Sequence, residues 1–173
     1  SIVCVGTPSL INGALDLRIV EKVTEQISKA LVGKTEPRRL IYRSTMLPGS
    51  TRRLVGEYLQ EYSEGGLVEV FFVPEFLREG TAVGDCRNPS IGVVGSEDVQ
   101  NTAPWGLCEL FGFGGLSRFV RWEEAEAMKY ACNAFHAVKV GFANEIGRIC
   151  KALDVDARDV MRMLCEDKKL NIS

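Results

Sequence analysis

One histidine stands in 173 residues, and none of the six cysteines forms a C-x-x-C pair. These two shortages exclude most zinc sites, which need clustered thiolates or imidazoles. Basic charge is not in excess. Lys and Arg number 21 against 23 Asp and Glu, a formal net charge of −2, which argues against a nucleic-acid surface. No apolar run reaches the length of a membrane span. No signal-peptide pattern, internal repeat or low-complexity linker is present. The remainder is ordinary for a soluble α/β protein, 46% hydrophobic and 25% charged, and long enough for one domain with a real core.

The cysteines read as reduced, mostly buried thiols of a cytosolic protein. Cys4 falls in a strand pattern, and Cys132, Cys150, Cys165 and Cys108 fall in helical ones. None has neighbours that mark a nucleophile. The chain opens at Ser1 with an apolar strand already under way and stops at Asn171-Ile172-Ser173 without a clear ending. That is the pattern expected of part of a longer polypeptide.

Strand and helix patterns alternate. Ile2 to Val5 is an apolar run ending at Gly6-Thr7-Pro8, and Asn12-Gly13 marks a turn. Apolar residues at helical spacing predict a helix from Leu17 to Leu31, capped by Asp16 and closed by Gly33. Leu40 to Tyr42 is a second strand and Thr51 to Tyr62 a second helix. Glu69 to Val73 is a third strand, stopped by Pro74. This order predicts an α/β fold, part of a Rossmann-like parallel sheet with crossover helices. Ligands of such sheets bind beyond the carboxyl ends of the strands. Residues 74–89 read as a loop, Ile91 to Val94 as a strand, and Glu97 to Leu110 as a helix. A glycine-rich loop at 111–116 and a strand at Phe119-Val120 follow. That loop lacks the G-x-G-x-x-G pattern of a phosphate cradle.

From Glu123 to Leu153 the pattern is helical for about thirty residues without proline, longer than an ordinary globular helix. With Lys129 at zero and ~100° per residue, Asn133, His136, Val140 and Asn144 fall within roughly 80°. Met128, Phe135, Val138, Phe142, Ile146 and Ile149 gather on another side. Lys129 to Asn144 spans about 22 Å. A polar stripe is often a solvated face. Here, however, short directional side chains sit among small apolar ones, and such groups cost free energy when buried without partners. A groove along an extended ligand is the alternative. A second helix, from Ala157 to Cys165, is capped by Asp156.

Six stretches together resemble one family. They are V-G-T-P at Val5 to Pro8, R-S-T-x-L-P-G at Arg43 to Gly49, and P-E-F-L-R-E-G-T-A at Pro74 to Ala82. Then come E-x-x-K-Y-x-x-N-x-x-H-A at Glu126 to Ala137, F-A-N-E-I at Phe142 to Ile146, and K-L-N at Lys169 to Asn171. In this order and spacing they resemble the sugar-nucleotide 6-dehydrogenases, the family of UDP-glucose and GDP-mannose dehydrogenases. His136 and the K-L-N-I-S ending look most like the GDP-mannose branch, with UDP-hexoses as the alternative substrates. One departure is Val73, where the family usually has asparagine before Pro-Glu-Phe.

The resemblance implies two hydride transfers to NAD, taking the sugar C6 alcohol through an aldehyde and a cysteine thioester to a carboxylate. It implies that Thr7 and Thr45 contact NAD, and that Thr45 helps hold a water. Glu75, Phe76, Leu77, Arg78 and Glu79 would line the substrate, with Glu79 also acting near the thioester or the cofactor. Lys129 and Asn133 would stabilise the reacting oxygen as it gains negative charge. His136 and Asn144 would grip the sugar nucleotide. Two carboxylates four residues apart, Glu75 and Glu79, could raise one another's pKa. Plainer roles stand beside these: Thr7 and Thr45 as turn caps, Glu79 paired to Arg78 or Arg87, Lys129 solvated, His136 structural.

No metal is implied. The family's glycine fingerprint for the NAD pyrophosphate and its nucleophilic cysteine match no stretch of this sequence. Residues 1–122 would form the later part of an NAD-binding domain, with 74–89 as its substrate loop. Residues 123–173 would form the central helix and the start of a helical dimerisation domain, giving a homodimer through the long helix. A non-catalytic dimerisation module is the reading from another class.

Overall fold

The computed structural model describes residues 1–99 and 106–168. The chain forms two compact units, Ser1–Ala131 and Cys132–Ser173.

In the first unit the apolar runs become a five-stranded sheet in the order β1-β2-β3-β4-β5. Its strands are β1 (Ile2–Val3), β2 (Arg38–Tyr42), β3 (Val68–Phe72), β4 (Gly92–Ser96) and β5 (Ser117–Arg121). The first three are parallel, in the register Ile2↔Ile41 and Tyr42↔Phe72. The sheet is not parallel throughout: β4 runs antiparallel to β3, and β5 is parallel to β4. The strands lack polar alternation because both faces are covered. Leu40, Tyr42, Val68, Val70 and Phe72 join one core with Val20, Leu54, Leu59 and Trp122. The intervening Ile41, Phe71 and Val73 join another with Val94, Leu107 and Phe113.

Helix α1 (Arg18–Leu31) connects β1 to β2, and Asp16 accepts the Arg18 amide at 3.1 Å. Thr24 gives its hydroxyl hydrogen to the Val20 carbonyl, so the buried Tyr42 hydroxyl donates to Thr24 Oγ1 at 2.7 Å. Burial pushes the Tyr42 phenol up to about 12. The expected second helix is composite: α2 (Ser50–Leu54), a π-helical segment (Val55–Leu59) and α3 (Gln60–Glu64).

Three expectations need correction. The 74–89 loop contains a short helix, α4 (Ala82–Arg87). Asp85 stabilises its start by accepting from the Arg78 guanidinium and amide and from the Thr81 hydroxyl. The helix read from Glu97 to Leu110 does not start at Glu97. Residues 97–99 are non-helical, 100–105 lie outside the described residues, and α5 covers only Leu107–Leu110. The thiols are not mostly buried. Cys4, Cys86 and Cys165 are exposed, Cys108 and Cys132 are half-buried, and of the six only Cys150 is buried. Cys4 lies beyond the end of β1, which stops at Val3.

Helix α6 (Trp122–Ala152) starts against the sheet. A Cβ on Gly95 would meet Ala125 Cβ at 2.8 Å and Trp122 Cα at 3.1 Å, so only glycine admits so close an approach here. The second unit holds the rest of α6 and α7 (Ala157–Glu166), and Asp156 caps α7 by accepting the Arg158 amide at 2.8 Å. Asp154, in the connecting turn, takes a left-handed φ of 54°, a conformation Asp tolerates better than most residues. The K-L-N stretch, 169–171, lies outside the described residues.

Candidate active site

The carboxyl ends of β1 and β2 are neighbours, so the loops that follow them carry Thr7 and Thr45 side by side in the topology. Both are half-buried, and neither hydroxyl is hydrogen-bonded among the described residues. Neither therefore acts as a turn cap. That task falls to Ser44, which is buried, donates to the Val5 carbonyl at 2.7 Å and accepts the Val5 amide at 3.0 Å. Gly6 leaves open space where a Cβ would stand. Two uncommitted hydroxyls and an unobstructed glycine at these strand ends fit contact with a dinucleotide. A pyrophosphate cradle would have to come from residues other than these.

The loop after β3 supplies the acidic side. Glu75 stands three residues past Phe72, as Thr45 stands three past Tyr42, and Tyr42 pairs with Phe72. Glu75 Oε1 accepts from Lys129 Nζ at 2.8 Å, and Oε2 accepts the Leu77 amide at 2.7 Å. Burial pushes the Glu75 carboxyl up, but Lys129, the Leu77 amide and the charge of Arg43 outweigh it and leave the pKa below the ordinary glutamate value. The expectation that Glu79 raises the Glu75 pKa is thus corrected: the charges that act on Glu75 are those of Lys129 and Arg43, and they lower it. Glu79 is exposed and makes no ion pair among the described residues. Arg78 pairs with Asp85 at 2.6 Å rather than with Glu79. Phe76 is half-buried, with Lys129 Nζ 5.8 Å from its ring centre, and Leu77 is exposed. Val73 is fully buried and donates its amide to the Tyr42 carbonyl at 2.8 Å, so an apolar residue fits the place where the family usually has asparagine.

Lys129 is only 4% exposed, which removes the solvated-lysine reading. Its helix turn is fixed by residues on the same side. Trp122 donates its indole N–H to the Val70 carbonyl at 3.1 Å. Glu126, fully buried, accepts from the Gly49 amide at 2.6 Å and from the Thr51 amide and hydroxyl at 2.7 Å. Burial pushes its carboxyl up despite these donors. In the sequence, Glu126 stands out only as the first letter of a motif. Its separation from Lys129 by one helical turn was the available signal. Lys129 has three donors, and one is committed to Glu75.

Asn133, His136 and Asn144 belong to the second unit and are exposed. So are Phe135, Val138, Phe142 and Ile149 of the apolar side.

Arg43, which opens the R-S-T-x-L-P-G motif without a role assigned to it, is a further candidate. Its guanidinium carbon lies 4.4 Å from the centre of the Phe111 ring, and its Nη1 is buried without a hydrogen-bond partner among the described residues. A surface cavity of about 770 Å³ opens at the other end of the strands, where Arg38, Arg39 and Glu69 begin β2 and β3. Of the site residues above, only Trp122 and Val70 line it; Thr7, Thr45, Glu75 and Lys129 do not.

Among known proteins, two family models match. Residues 1–110 fit the NAD binding domain of the UDP-glucose/GDP-mannose dehydrogenase family, and residues 123–173 fit its central domain. The GDP-mannose 6-dehydrogenases of Azotobacter vinelandii and Pseudomonas aeruginosa are each 43% identical over the whole of this chain. The chain spans 40% of the length of each. A UDP-glucose 6-dehydrogenase of Haloferax volcanii is 32% identical over 95% of the chain, again covering 40% of the relative. A crystal structure of a ternary complex of GDP-mannose dehydrogenase from Pseudomonas aeruginosa superimposes with a TM-score of 0.86 at 42% identity, over 99% of this chain and 40% of that one. A UDP-glucose dehydrogenase from Pyrobaculum islandicum gives 0.83 at 35%, over 98% and 39%. On the family models and these likenesses, the chain belongs to the UDP-glucose/GDP-mannose dehydrogenase family.

Proposed function

We propose that this chain carries the later part of the NAD-binding domain (1–122) and the opening of the central domain (123–173) of a GDP-mannose 6-dehydrogenase. The whole enzyme would oxidise the sugar C6 alcohol to a carboxylate in the cytoplasm by two hydride transfers. The observation that carries the reading is the buried Lys129 ammonium, held 2.8 Å from Glu75 at the carboxyl ends of the sheet strands.

NAD, when bound, supplies the hydride acceptor. The residues of this chain bind and orient. Thr7 and Thr45 offer free hydroxyls to the cofactor, and Thr45 is also placed to hold a water. Glu75 fixes the Lys129 ammonium, leaving two N–H donors for the C6 oxygen as it gains negative charge. Asn133 follows one helical turn later and would share that task. Phe76, Leu77, Arg78 and Glu79 line the substrate from the loop after β3, and His136 and Asn144 hold the nucleotide sugar. The carboxylate stage passes through a cysteine thioester. No cysteine of this chain has the neighbours of that nucleophile.

The 43% identity to GDP-mannose 6-dehydrogenases, against 32% to the Haloferax enzyme, favours GDP-mannose over a UDP-hexose. The exposed Phe135, Val138, Phe142 and Ile149 favour a homodimer through the long helix. The test is NADH formation by the full-length enzyme with each nucleotide sugar. Two NADH per GDP-mannose is expected. Turnover of UDP-glucose alone would move the assignment to the other branch, and turnover of neither would leave the non-catalytic module.

A further inference from the structure

We propose that Glu126 is a positioning residue: its bonds to the Gly49–Thr51 turn set the Lys129 turn of α6 in register with the Thr45 loop. The inference rests on the dehydrogenase reading and deepens it.

A fully buried carboxylate is a costly anchor, and a well-packed apolar residue would hold a helix to a sheet at least as well. What the carboxylate adds is direction. Both oxygens are engaged, Oε2 by Gly49 and Oε1 by Thr51 through its amide and its hydroxyl, all at 2.6–2.7 Å. Short charge-assisted bonds of this kind tolerate little sliding. The donors are themselves fixed. Gly49 has a φ of 91°, which favours glycine, and Thr51 is fully buried.

The contacts close a ring. From Thr45 the chain passes through the fully buried Met46 to Gly49, and Gly49 donates to Glu126. One turn along α6, about 4.5 Å, Lys129 reaches Glu75. Glu75 returns through β3 to the Tyr42–Phe72 pair and so to Thr45. Thr45 and Lys129 approach the reacting carbon from different elements. Within this ring, Glu126 is the buried link that ties α6 to the Thr45 side; the more exposed Arg52–Glu123 pair joins the same elements nearer the surface.

The experiment uses the full-length enzyme with saturating NAD and enzyme in excess over GDP-mannose, or over UDP-glucose if that is what the wild type oxidises. The rate constant of NADH formation is read in a single turnover with folded enzyme kept in excess over the sugar, and the folded fraction is read separately by circular dichroism. Glu126→Gln sets an amide N–H₂ against the Gly49 or Thr51 donors. It is expected to lower the rate constant by roughly tenfold or more, the scale of a misplaced catalytic group, with the nucleotide-sugar KM little changed. Thr51→Val removes one bond, keeps the side-chain shape, and is expected to lower the rate constant less. It decides the matter if Glu126→Gln does not fold. A purely structural role lowers the folded fraction and the stability, and leaves the rate constant of the folded enzyme at the wild-type value. That result in the folded variants overturns the proposal. A wild type that oxidises no nucleotide sugar removes the dehydrogenase reading, and the proposal with it.

Discussion

Lys129 Nζ and Glu75 Oε1 lie 2.8 Å apart across 54 residues of sequence, joining the central helix to the loop after β3. The pair makes stability depend on pH. Glu75 is held below its ordinary value of 4.5, so its contribution is fully present above that value and is lost as pH falls through the lowered one. Urea midpoints of the full-length wild type and Glu75→Gln should therefore differ near neutrality and converge in acid. The raised pKa of Glu126 acts in the opposite sense, but equally in both proteins. A gap that stays constant with pH would show that the pair contributes nothing through ionisation.

Gly95 marks where α6 meets the sheet. Gly95→Ala places a methyl 2.8 Å from Ala125 Cβ, with Trp122 Cα at 3.1 Å and the Phe72 carbonyl at 3.3 Å. Neither a backbone atom nor an alanine methyl can swing aside. The cost should be about 1–3 kcal/mol in urea unfolding, and Ala125→Gly in the same chain should recover part of it. A neutral Gly95→Ala would mean that the helix start shifts freely.

Ser44 and Thr45 are neighbours with separate tasks. Ser44→Ala strips both bonds from Val5 and should cost about 1–3 kcal/mol of stability. Thr45→Val removes a hydroxyl that has no hydrogen-bond partner among the described residues. It should change stability by less than about 0.5 kcal/mol while raising the KM for NAD or lowering turnover. The reverse assignment of effects would exchange the two roles.

Much of this architecture is legible in the sequence because it rests on local pattern. The apolar runs at 40–42 and 69–73 become strands covered on both faces, and thirty residues without proline become one helix. What the sequence conceals depends on contacts between distant residues. Helix α4 is short and contains Gly84, and it is held by Asp85 bonds to Arg78 and Thr81. The antiparallel step from β3 to β4 is a property of chain path, which residue pattern does not encode. In the site, motif spacing singled out Lys129 and Glu75. Their pairing, and the burial of Glu126 against Gly49 and Thr51, needed the fold. Glutamate in a helix ordinarily signals a solvated face, and only the donors it meets reverse that reading.

The central claim is that Lys129 stabilises negative charge on the reacting sugar oxygen, and the most direct test is the hydride step itself. In the full-length enzyme, Lys129→Ala should lower the single-turnover rate constant of NADH formation by more than about tenfold, a loss above ~1.4 kcal/mol. Circular dichroism checks that the variant is folded. An unchanged rate constant in the folded variant would contradict the account and remove Lys129 from the chemistry.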